Sequence, residues 1–428
     1  MKNNLLFITL FVVFSYSHSA QVEDGTITIG KRYSIDSKVL NETRFYNVYL
    51  PPSYETSNQI KYPVVYLIDG DYNFHHTTGL IEQLSSISEK IPEMIVVGIA
   101  DNGHDNYIKN CTPFDEKNNP DGQSEKFLDF ITAELKSQIN KNYKSAEYDI
   151  LIGHSLGGLF TINALLSKPE SFNAYISISP SLWWNDYEAE KKVTPFYENH
   201  ESIKRFLFLS LANEKGMGVL GFYNQLDVNT FADEYNKNKP LGLNYTFKHF
   251  PNENHNSVGL ITVNQGLKLL FKNYDLSNNT LNSLKTFKEY ENFVEPYYQM
   301  IGKGFRLPNR NLNYLINLFY EENKGELMAV ENSIKEKYPA SLGDYYNHLG
   351  NIYIKKGEIK KGIEMHKMNC TLNLNSPEYL TSLADAYFEN KEFDKAKINY
   401  QKALELAINQ NTREWYINQL KYNVLKKD

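Results

Sequence analysis

The residue types best suited to covalent chemistry lie between positions 153 and 157, where the sequence reads Gly-His-Ser-Leu-Gly. An apolar run, Tyr148 to Ile152, precedes this segment, and an amphipathic helical pattern, Leu159 to Leu166, follows it. A serine in such a strand-to-helix turn exposes its hydroxyl, and the flanking glycines avoid collisions where strand and helix pass closely. The pattern predicts that Ser155 is a nucleophile on a sharp elbow.

A serine nucleophile also needs hydrogen-bond donors for the negative charge that develops on its substrate. Because the serine would precede a helix, the free backbone N–H of Leu156 is one expected oxyanion donor. The second donor should come from the segment Asp69 to Phe74, which follows the apolar run Val64 to Ile68. A backbone N–H near Asp71 or Tyr72 is the candidate.

The proton acceptor is predicted from its place in the chain, because elbow-type sites follow the order serine, acid, histidine. His255 lies between the last predicted strand and the last predicted helix, where the base belongs. His249 falls inside that strand and His200 in a polar run before another, so both are interpreted as structural. The sequence therefore predicts His255 as the general base.

The orienting acid should follow the predicted strand Phe206 to Leu211. Glu214 is the first carboxylate after it. A carboxylate at this place can accept the ring N–H of the histidine, fix its tautomer and stabilise the protonated ring. Asp227 and Asp233, further along the chain, stay open as alternatives.

The charge and the motifs of the sequence limit the kinds of partner and cofactor that we expect. The net charge is −6, and acidic and basic residues are interleaved, so a nucleic-acid partner is not expected. His75 and His76 have acidic neighbours, but no further ligand follows at the spacing of a metal site. The chain contains neither a phosphate-binding nor a dinucleotide-binding glycine motif. We therefore expect no metal and no other cofactor.

The apolar runs predict an α/β domain over residues 21–275. Residues 25–60 alternate in polarity, as in an antiparallel hairpin or meander at a sheet edge, whereas the later runs suit strands of a parallel sheet buried on both faces. Helical patterns separate these runs, as right-handed crossovers require. The strands are predicted at Tyr62 to Ile68, Met94 to Ile99, Tyr148 to Ile152, Ala174 to Ile178, Phe206 to Leu211 and Asn244 to Phe250. The helices are predicted at Thr78 to Glu89, Gln123 to Ile139, Leu159 to Leu166 and Ser257 to Phe271.

Beyond residue 275 the patterns are helical, and the tail repeats itself with a period of 34 residues. The period and its small and aromatic positions are typical of the tetratricopeptide repeat. Matching positions are Leu349 with Leu383, Gly350 with Ala384, Tyr353 with Tyr387, Gly362 with Ala396, His366 with Tyr400, and Asn369 with Ala403. We predict a helical linker at 276–308 and tetratricopeptide-like repeats at 309–428, with a degenerate first copy and a capping helix from Thr412 to Leu425. Because stable arrays need about three repeats, this tail should pack on the rest of the chain or on another chain.

The first twenty residues predict export. Lys2, the apolar run Leu5 to Phe14 and a small-residue tail ending at Ala20 form a signal-peptide pattern, 1–20. The run is too short to span about 30 Å of hydrocarbon as a helix, so no membrane span is expected after its removal. A periplasmic or secreted location follows. The cysteines, Cys111 and Cys370, lie in separate predicted domains, and no disulfide is expected.

Several segments together resemble the putative esterase family of α/β-hydrolases, and most of all its siderophore-esterase-like branch. They are PVVYLIDGD, Thr112-Pro113, FLDFITAEL, GHSLGGLF, SISPSLWW and ENHNSV. The resemblance covers roughly residues 25 to 272 and implies an α/β-hydrolase fold and ester hydrolysis. One departure concerns the segment before Thr112-Pro113, which is usually rich in arginine. Here that segment, Asn106 to Cys111, reads NYIKNC and contains no arginine. Trp183 and Trp184 end the SISPSLWW motif and would form either an aromatic wall near the serine or part of the core.

The sequence therefore predicts an exported serine esterase that acts on a small-molecule ester through an acyl-enzyme. Acyl transfer to an alcohol other than water uses the same acyl-enzyme and stays open. So does a binding or scaffold role, in which the helical repeats recruit a protein partner or a second copy of the chain.

Overall fold

The computed structural model describes residues 28–117, 119–184, 188–238 and 240–426. The predicted signal peptide lies outside these residues, as does the start of the predicted edge hairpin. The strands are β1 (Lys31–Ser37), β2 (Glu42–Tyr49), β3 (Tyr62–Leu67), β4 (Ile95–Ile99), β5 (Ser145–His154), β6 (Ala174–Ile178), β7 (Phe206–Asn213) and β8 (Asn244–Asn254).

In the described chain these strands form one eight-stranded sheet with the order β1-β2-β4-β3-β5-β6-β7-β8. The pairs β1–β2 and β2–β4 are antiparallel, and the remaining pairs are parallel. The predicted α/β fold with an antiparallel hairpin at its edge is thus confirmed. The sheet aligns the carboxyl ends of β5, β7 and β8 at one edge, because parallel neighbours run in the same direction.

The apolar runs form strands because both faces of the sheet are covered. Ile150 and Ile152 contribute to the core on one face, while Leu151 between them contributes to the core on the other. Side chains alternate between the faces of a strand, so a strand buried on both sides needs an unbroken apolar run.

The helices of the first part of the chain cover the two faces of the sheet. They are α1 (Gly70–Glu82), α2 (His104–Cys111), α3 (Ser124–Asp129), α4 (Lys136–Asn142), α5 (Leu156–Ser167), α6 (Glu188–Lys191), α7 (Val193–Asn199), α8 (Gly218–Asn238) and α9 (Val258–Leu270). π-helical turns follow α1 at Gln83–Ile87 and join α3 to α4 at Phe130–Leu135. Short 3₁₀ turns lie at Pro169–Ser171 and Glu214–Met217.

The start of α1 differs from the prediction, which placed it at Thr78. The helix begins at Gly70, and Asp71, Tyr72 and His75 in its first turns are exposed. Exposed polar residues carry no apolar periodicity, so the first two turns could not be recognised from the pattern.

The tail consists of α10 (Asn278–Ser283), α11 (Phe287–Ile301), α12 (Asn309–Glu322), α13 (Lys324–Lys337), α14 (Leu342–Lys355), α15 (Ile359–Leu372), α16 (Pro377–Glu389), α17 (Phe393–Asn409) and α18 (Glu414–Lys426), with 3₁₀ turns at Gly302–Gly304 and Pro339–Ser341. The helices α14 and α15 form one of the predicted repeats, and α16 and α17 form the next. A Cβ atom on Gly350 would lie 2.9 Å from the His366 ring. The small residues of the repeat therefore allow its paired helices to approach closely.

The tail packs on the sheet domain, as the low number of repeats predicts. Phe287, Tyr290 and Val294 of α11 are buried in the same cluster as Ile150 and Ile152 of the sheet. The predicted linker thus contributes to the main core, and the boundary at residue 275 stays a prediction.

Polar contacts also join the tail to the sheet domain. The Arg310 backbone N–H donates to Glu89 (2.8 Å), and Arg413, just before α18, pairs with Glu82 at the end of α1 (2.6 Å). Cys111 and Cys370 are free thiols. Within the part of the chain that the structure describes, we find no helix with the length and apolar character that a membrane crossing requires.

Candidate active site

Ser155 occupies a strained turn between β5 and α5. Its backbone angles are φ 58° and ψ −117°, a conformation that costs a non-glycine residue of order 1–3 kcal/mol. Three backbone hydrogen bonds hold it: its N–H donates to the Ile178 carbonyl (3.0 Å), and its carbonyl accepts from Leu159 (3.0 Å) and Ser181 (3.1 Å). The structure therefore contains the predicted elbow, and its neighbours maintain the strain.

The two flanking glycines of the elbow are needed for different reasons. A Cβ on Gly153 would lie 2.0 Å from the carbonyl oxygen of Gly157, so strand and helix could not approach as they do. A Cβ on Gly157 would instead meet the side chain of Ile68 at 3.0 Å. The first glycine is the stricter requirement, because a backbone atom cannot move aside as a side chain can.

The predicted base and acid lie together at the carboxyl edge of the sheet. His255 follows β8, and its Nδ1 is 2.9 Å from Oε2 and 3.1 Å from Oε1 of Glu214, which follows β7. Glu214 is completely buried, and it also accepts a hydrogen bond from the Ser179 hydroxyl. The alternative acids lie elsewhere, on α8, where Asp227 is buried and Asp233 is exposed. The geometry therefore favours Glu214 as the partner of His255.

The environment of Glu214 keeps it ionised. Burial alone would raise the pKa of its carboxyl, but the hydrogen bonds from His255 and Ser179 outweigh burial and hold this pKa below the ordinary value. An ionised carboxylate accepts the Nδ1–H of the histidine, which leaves Nε2 as the nitrogen that can take up a proton.

The hydroxyl of Ser155 is 3.2 Å from the hydroxyl of Ser181. In the described part of the chain this is the hydrogen bond that Ser155 Oγ makes, and it does not include the His255 ring. Hydrogen bonds between a nucleophile and its base are often long or absent until substrate binds. Ser155 directly follows β5, and Glu214 and His255 directly follow β7 and β8, so all three residues lie at the carboxyl edge of the sheet.

The residues expected as oxyanion donors lie at two helix N-termini. Leu156 is the first residue of α5, so its N–H has no partner within the helix. Asp71 lies in the first turn of α1, and its side chain pairs with Arg32 at 2.8 Å. The Tyr72 N–H already donates to the Asp69 carbonyl (3.2 Å), and the Tyr72 side chain is 73% exposed. Of the two candidates in this segment, Asp71 has the more available N–H.

The tryptophan pair lies directly beyond the loop that contacts Ser155. The rings of Trp183 and Trp184 are 5.4 Å apart at an angle of 47°, and both are half-buried. Trp184 packs against the core on one face of the sheet. Of the two roles predicted for the tryptophans, an aromatic wall or a part of the core, the second therefore fits Trp184.

Residues that the sequence analysis did not identify complete the surroundings of the site. His154 contacts the His255 backbone and ring, and Tyr107 donates to the His154 carbonyl (3.0 Å). Ser179 and Ser181 lie in the quoted SISPSLWW motif, but the motif does not reveal which hydroxyl contacts Glu214 and which contacts Ser155. No pattern in the segment that contains Tyr107 could have identified that tyrosine.

A pair of carboxyl groups follows the ends of the neighbouring strands β3 and β4. Asp69 adopts a left-handed φ of 57° directly before α1. Burial, followed by a hydrogen bond with Asp69, raises the pKa of Asp101 to about 9. Asp101 therefore keeps its proton at neutral pH and can donate it to Asp69, directly before α1.

Comparison with known proteins agrees with this architecture. Residues 37–234 match the family described as "Putative esterase", and residues 377–409 match the tetratricopeptide repeat. The ferri-bacillibactin esterase BesA of Bacillus subtilis is 28% identical over 250 residues, which cover 53% of this chain and 85% of BesA.

Solved structures give the same result at the level of the fold. An IroE-like serine hydrolase of Shewanella oneidensis superposes with a TM-score of 0.61 at 28% identity, covering 70% of this chain and 98% of that one. An uncharacterised protein of Capnocytophaga ochracea covers 92% of this chain and 99% of its own length, with a TM-score of 0.55 at 16% identity. Its match extends through the helical tail, so the two regions occur together in another solved fold. The chain is therefore a carboxylic ester hydrolase whose sheet domain matches the putative esterase family and whose helical tail carries tetratricopeptide repeats.

Proposed function

We propose that this protein is an exported serine esterase with Ser155 as nucleophile, His255 as general base and Glu214 as the orienting acid. The observation that carries the proposal is the 2.9 Å contact between His255 Nδ1 and the buried Glu214 carboxylate, at the sheet edge where the elbow presents its serine. A contact of this kind fixes the ring and leaves Nε2 for proton transfer.

The proposed reaction has two halves. In the first, Ser155 Oγ attacks the ester carbonyl as its proton moves to Nε2 of His255, and the alcohol leaves with that proton. In the second, His255 takes a proton from water, whose oxygen attacks the acyl group. The bond from the acyl carbon to Ser155 Oγ then breaks as His255 returns the proton to Oγ, which releases the acid and restores free Ser155. The N–H of Leu156 and an N–H at the start of α1, near Asp71, would stabilise both tetrahedral intermediates.

We further propose siderophore-type esters as the substrate class to test first. The support is the likeness to BesA, a ferri-bacillibactin esterase, over most of the length of BesA. Trp183 is half-buried in the loop next to Ser155 and would offer an aromatic surface to such a ligand.

The direct test compares hydrolysis by the wild type, Ser155→Ala and His255→Ala on an activated ester and on an iron-free siderophore ester. Each variant should lower kcat by at least about 10³-fold, and the double variant should lose little more, because the two groups act together. His249→Ala is the matched control, since His249 lies on β8 with its side chain exposed. A Ser155→Ala protein with near-normal turnover would refute the assignment, and an ester product formed in added alcohol would indicate acyl transfer.

We also propose export, supported by Lys2, the apolar run Leu5 to Phe14 and the small residues that end at Ala20. Fractionation of producing cells should recover the protein outside the cytoplasm. N-terminal sequencing should begin at Gln21, and a cytoplasmic protein with an intact first segment would contradict this proposal.

A further inference from the structure

His154, the last residue of β5, directly precedes the nucleophile and contacts the proposed base. Its Nε2 is 2.7 Å from the backbone carbonyl oxygen of His255, and the centres of the two imidazole rings are 4.6 Å apart. The side chain is half-buried and directly precedes Ser155. One residue of the elbow therefore contacts both the backbone and the ring of His255.

The protonation state of His154 defines the direction of this hydrogen bond. Burial, and then the neighbouring His255, lower the pKa of His154 to about 4. The ring is therefore neutral at pH 7 and carries one N–H. Because a carbonyl oxygen can only accept, that proton is on Nε2, and His154 donates to His255.

The backbone of His154 is itself held in place. The Tyr107 hydroxyl donates to the His154 carbonyl (3.0 Å) and accepts from the Gly157 N–H (3.1 Å). This phenol therefore bridges the elbow from the residue before Ser155 to the second residue after it. Burial raises the pKa of Tyr107 well above neutral pH, so the hydroxyl keeps the proton that it donates.

The contact between His154 and His255 is needed because the sheet alone does not bring the elbow close to the loop after β8, which contains His255. β6 and β7 lie between β5 and β8, a separation of three strand spacings, or about 14 Å. The loop after β8 must therefore reach back across the edge of the sheet to Ser155. Glu214 fixes the His255 ring at Nδ1 but does not touch the His255 backbone in any contact of the described chain.

We propose that His154 is a positioning residue, which holds the backbone and ring face of His255 at the distance from Ser155 that proton transfer requires. The proposal rests on the proposed function of His255 as the base. It predicts that loss of the Nε2–H donor misplaces the base without altering substrate binding, because His154 acts through His255.

The test replaces His154 by Leu, which fills the space without donating, and by Gln, whose amide N–H can reach the same carbonyl. His154→Leu should lower kcat about 10- to 100-fold with KM unchanged within about twofold, since misplacement by about 1 Å can cost 10²-fold. His154→Gln should keep a kcat several-fold above that of the Leu variant. Should the Leu variant fail to fold, His154→Asn replaces it, because the shorter amide falls short of the carbonyl.

His200 provides the matched control. Its Nδ1 is 2.9 Å from the Phe196 carbonyl oxygen, and its ring is 4.8 Å from the Phe196 ring, at the end of α7. His200→Leu removes the same two kinds of contact from a residue outside the catalytic machinery, whereas His200→Gln removes the ring contact and keeps an amide donor. For both variants kcat should stay within about twofold of the wild type.

A second measurement does not depend on catalysis. Hydrogen–deuterium exchange of the backbone amides at 252–258 should be faster in His154→Leu than in the wild type and in His154→Gln. If the wild type hydrolyses no ester, the proposed function fails, while the exchange experiment still tests the contact. The proposal is overturned if the Leu variant keeps kcat within about twofold of wild type, if its loss lies in KM, if Gln is no better than Leu, or if exchange at 252–258 is unchanged.

Discussion

At the level of single residues, the proposed catalysis depends on the charge of one buried side chain. Glu214 is completely buried, yet the Ser179 hydroxyl donates to one of its oxygens and the Nδ1–H of His255 is shared between both. A buried carboxylate is costly unless it is paired and hydrogen bonded. The site therefore contains the partners that an ionised acid needs. Replacement of Glu214 by a neutral side chain should change both catalysis and the stability of the fold at acid pH.

Glu214→Gln is predicted to lower kcat by about 10²-fold with little change in KM. The amide has nearly the same shape but cannot balance the positive charge that His255 gains in the transition state, and it can present an N–H to Nδ1. The loss should be smaller than that from Ser155→Ala. Steady-state kinetics check this, with Asp227→Asn and Asp233→Asn as controls, and a silent Glu214→Gln beside a damaging aspartate variant would show that the acid is misassigned.

The free energy of unfolding at acid pH should also depend on Glu214. Because its folded pKa lies below the ordinary value of 4.5, the unfolded state binds more protons at this position, so folding is stabilised at pH values above 4.5. That contribution is lost as the pH falls through the lower folded pKa. Urea midpoints between about pH 6 and pH 3 should therefore fall less steeply for Glu214→Gln than for the wild type. Parallel curves would show that no such shift exists.

At the scale of elements, the elbow depends on how closely β5 and α5 approach. Gly153→Ala is predicted to lower activity by at least about 10²-fold, because its Cβ would lie 2.0 Å from the Gly157 carbonyl oxygen and 2.7 Å from the Thr161 hydroxyl. The same clash should lower the melting temperature. Thermal unfolding and ester hydrolysis check both effects.

Gly79→Ala is the matched control for the elbow. Gly79 lies within α1, and a Cβ there would meet no atom within 4 Å. Since alanine favours a helix by about 1 kcal/mol over glycine, this variant should be as stable as the wild type or more so, with unchanged activity. Equal damage from both substitutions would show that the elbow is not specially constrained.

Most elements of the sheet domain could be predicted because their physical signal is local. A strand buried on both faces, such as β6, needs an unbroken apolar run, and that prediction, Ala174 to Ile178, matches the structure residue for residue. The start of α1 could not be predicted, because its exposed first turns are polar. Side-chain partners could not be predicted either: the contact between His154 and His255 joins residues 101 positions apart, and it forms only because the loop after β8 reaches back across the sheet edge in the folded chain.

At the scale of the whole molecule, the tail divides into two parts. The helices α10 to α14 share one apolar cluster with the sheet. A second cluster, separate from it, is formed by buried side chains of α15 to α18, among them Ile363, Tyr400 and Leu420. The boundary between the two clusters therefore falls near Gly357, which follows the end of α14 and has a φ of 80°.

Two truncations test this division. A chain that ends at 357 should stay folded and active on a small ester, with a modest loss of melting temperature. A chain that ends at 275 should be recovered in poor yield or unfold at a much lower temperature, because loss of Phe287, Tyr290 and Leu312 uncovers one face of the sheet, and each large core side chain contributes about 2–5 kcal/mol. A 275-residue chain as stable as the full protein would contradict the shared core.

Covalent catalysis by Ser155 can be measured by mass spectrometry of the intact protein after reaction with a fluorophosphonate, which reacts with activated serines. We predict one adduct per chain, located on the peptide that contains Ser155, a much slower reaction in His255→Ala, and none in Ser155→Ala. An adduct on another serine, or labelling of Ser155→Ala at the rate of the wild type, would contradict covalent catalysis by Ser155.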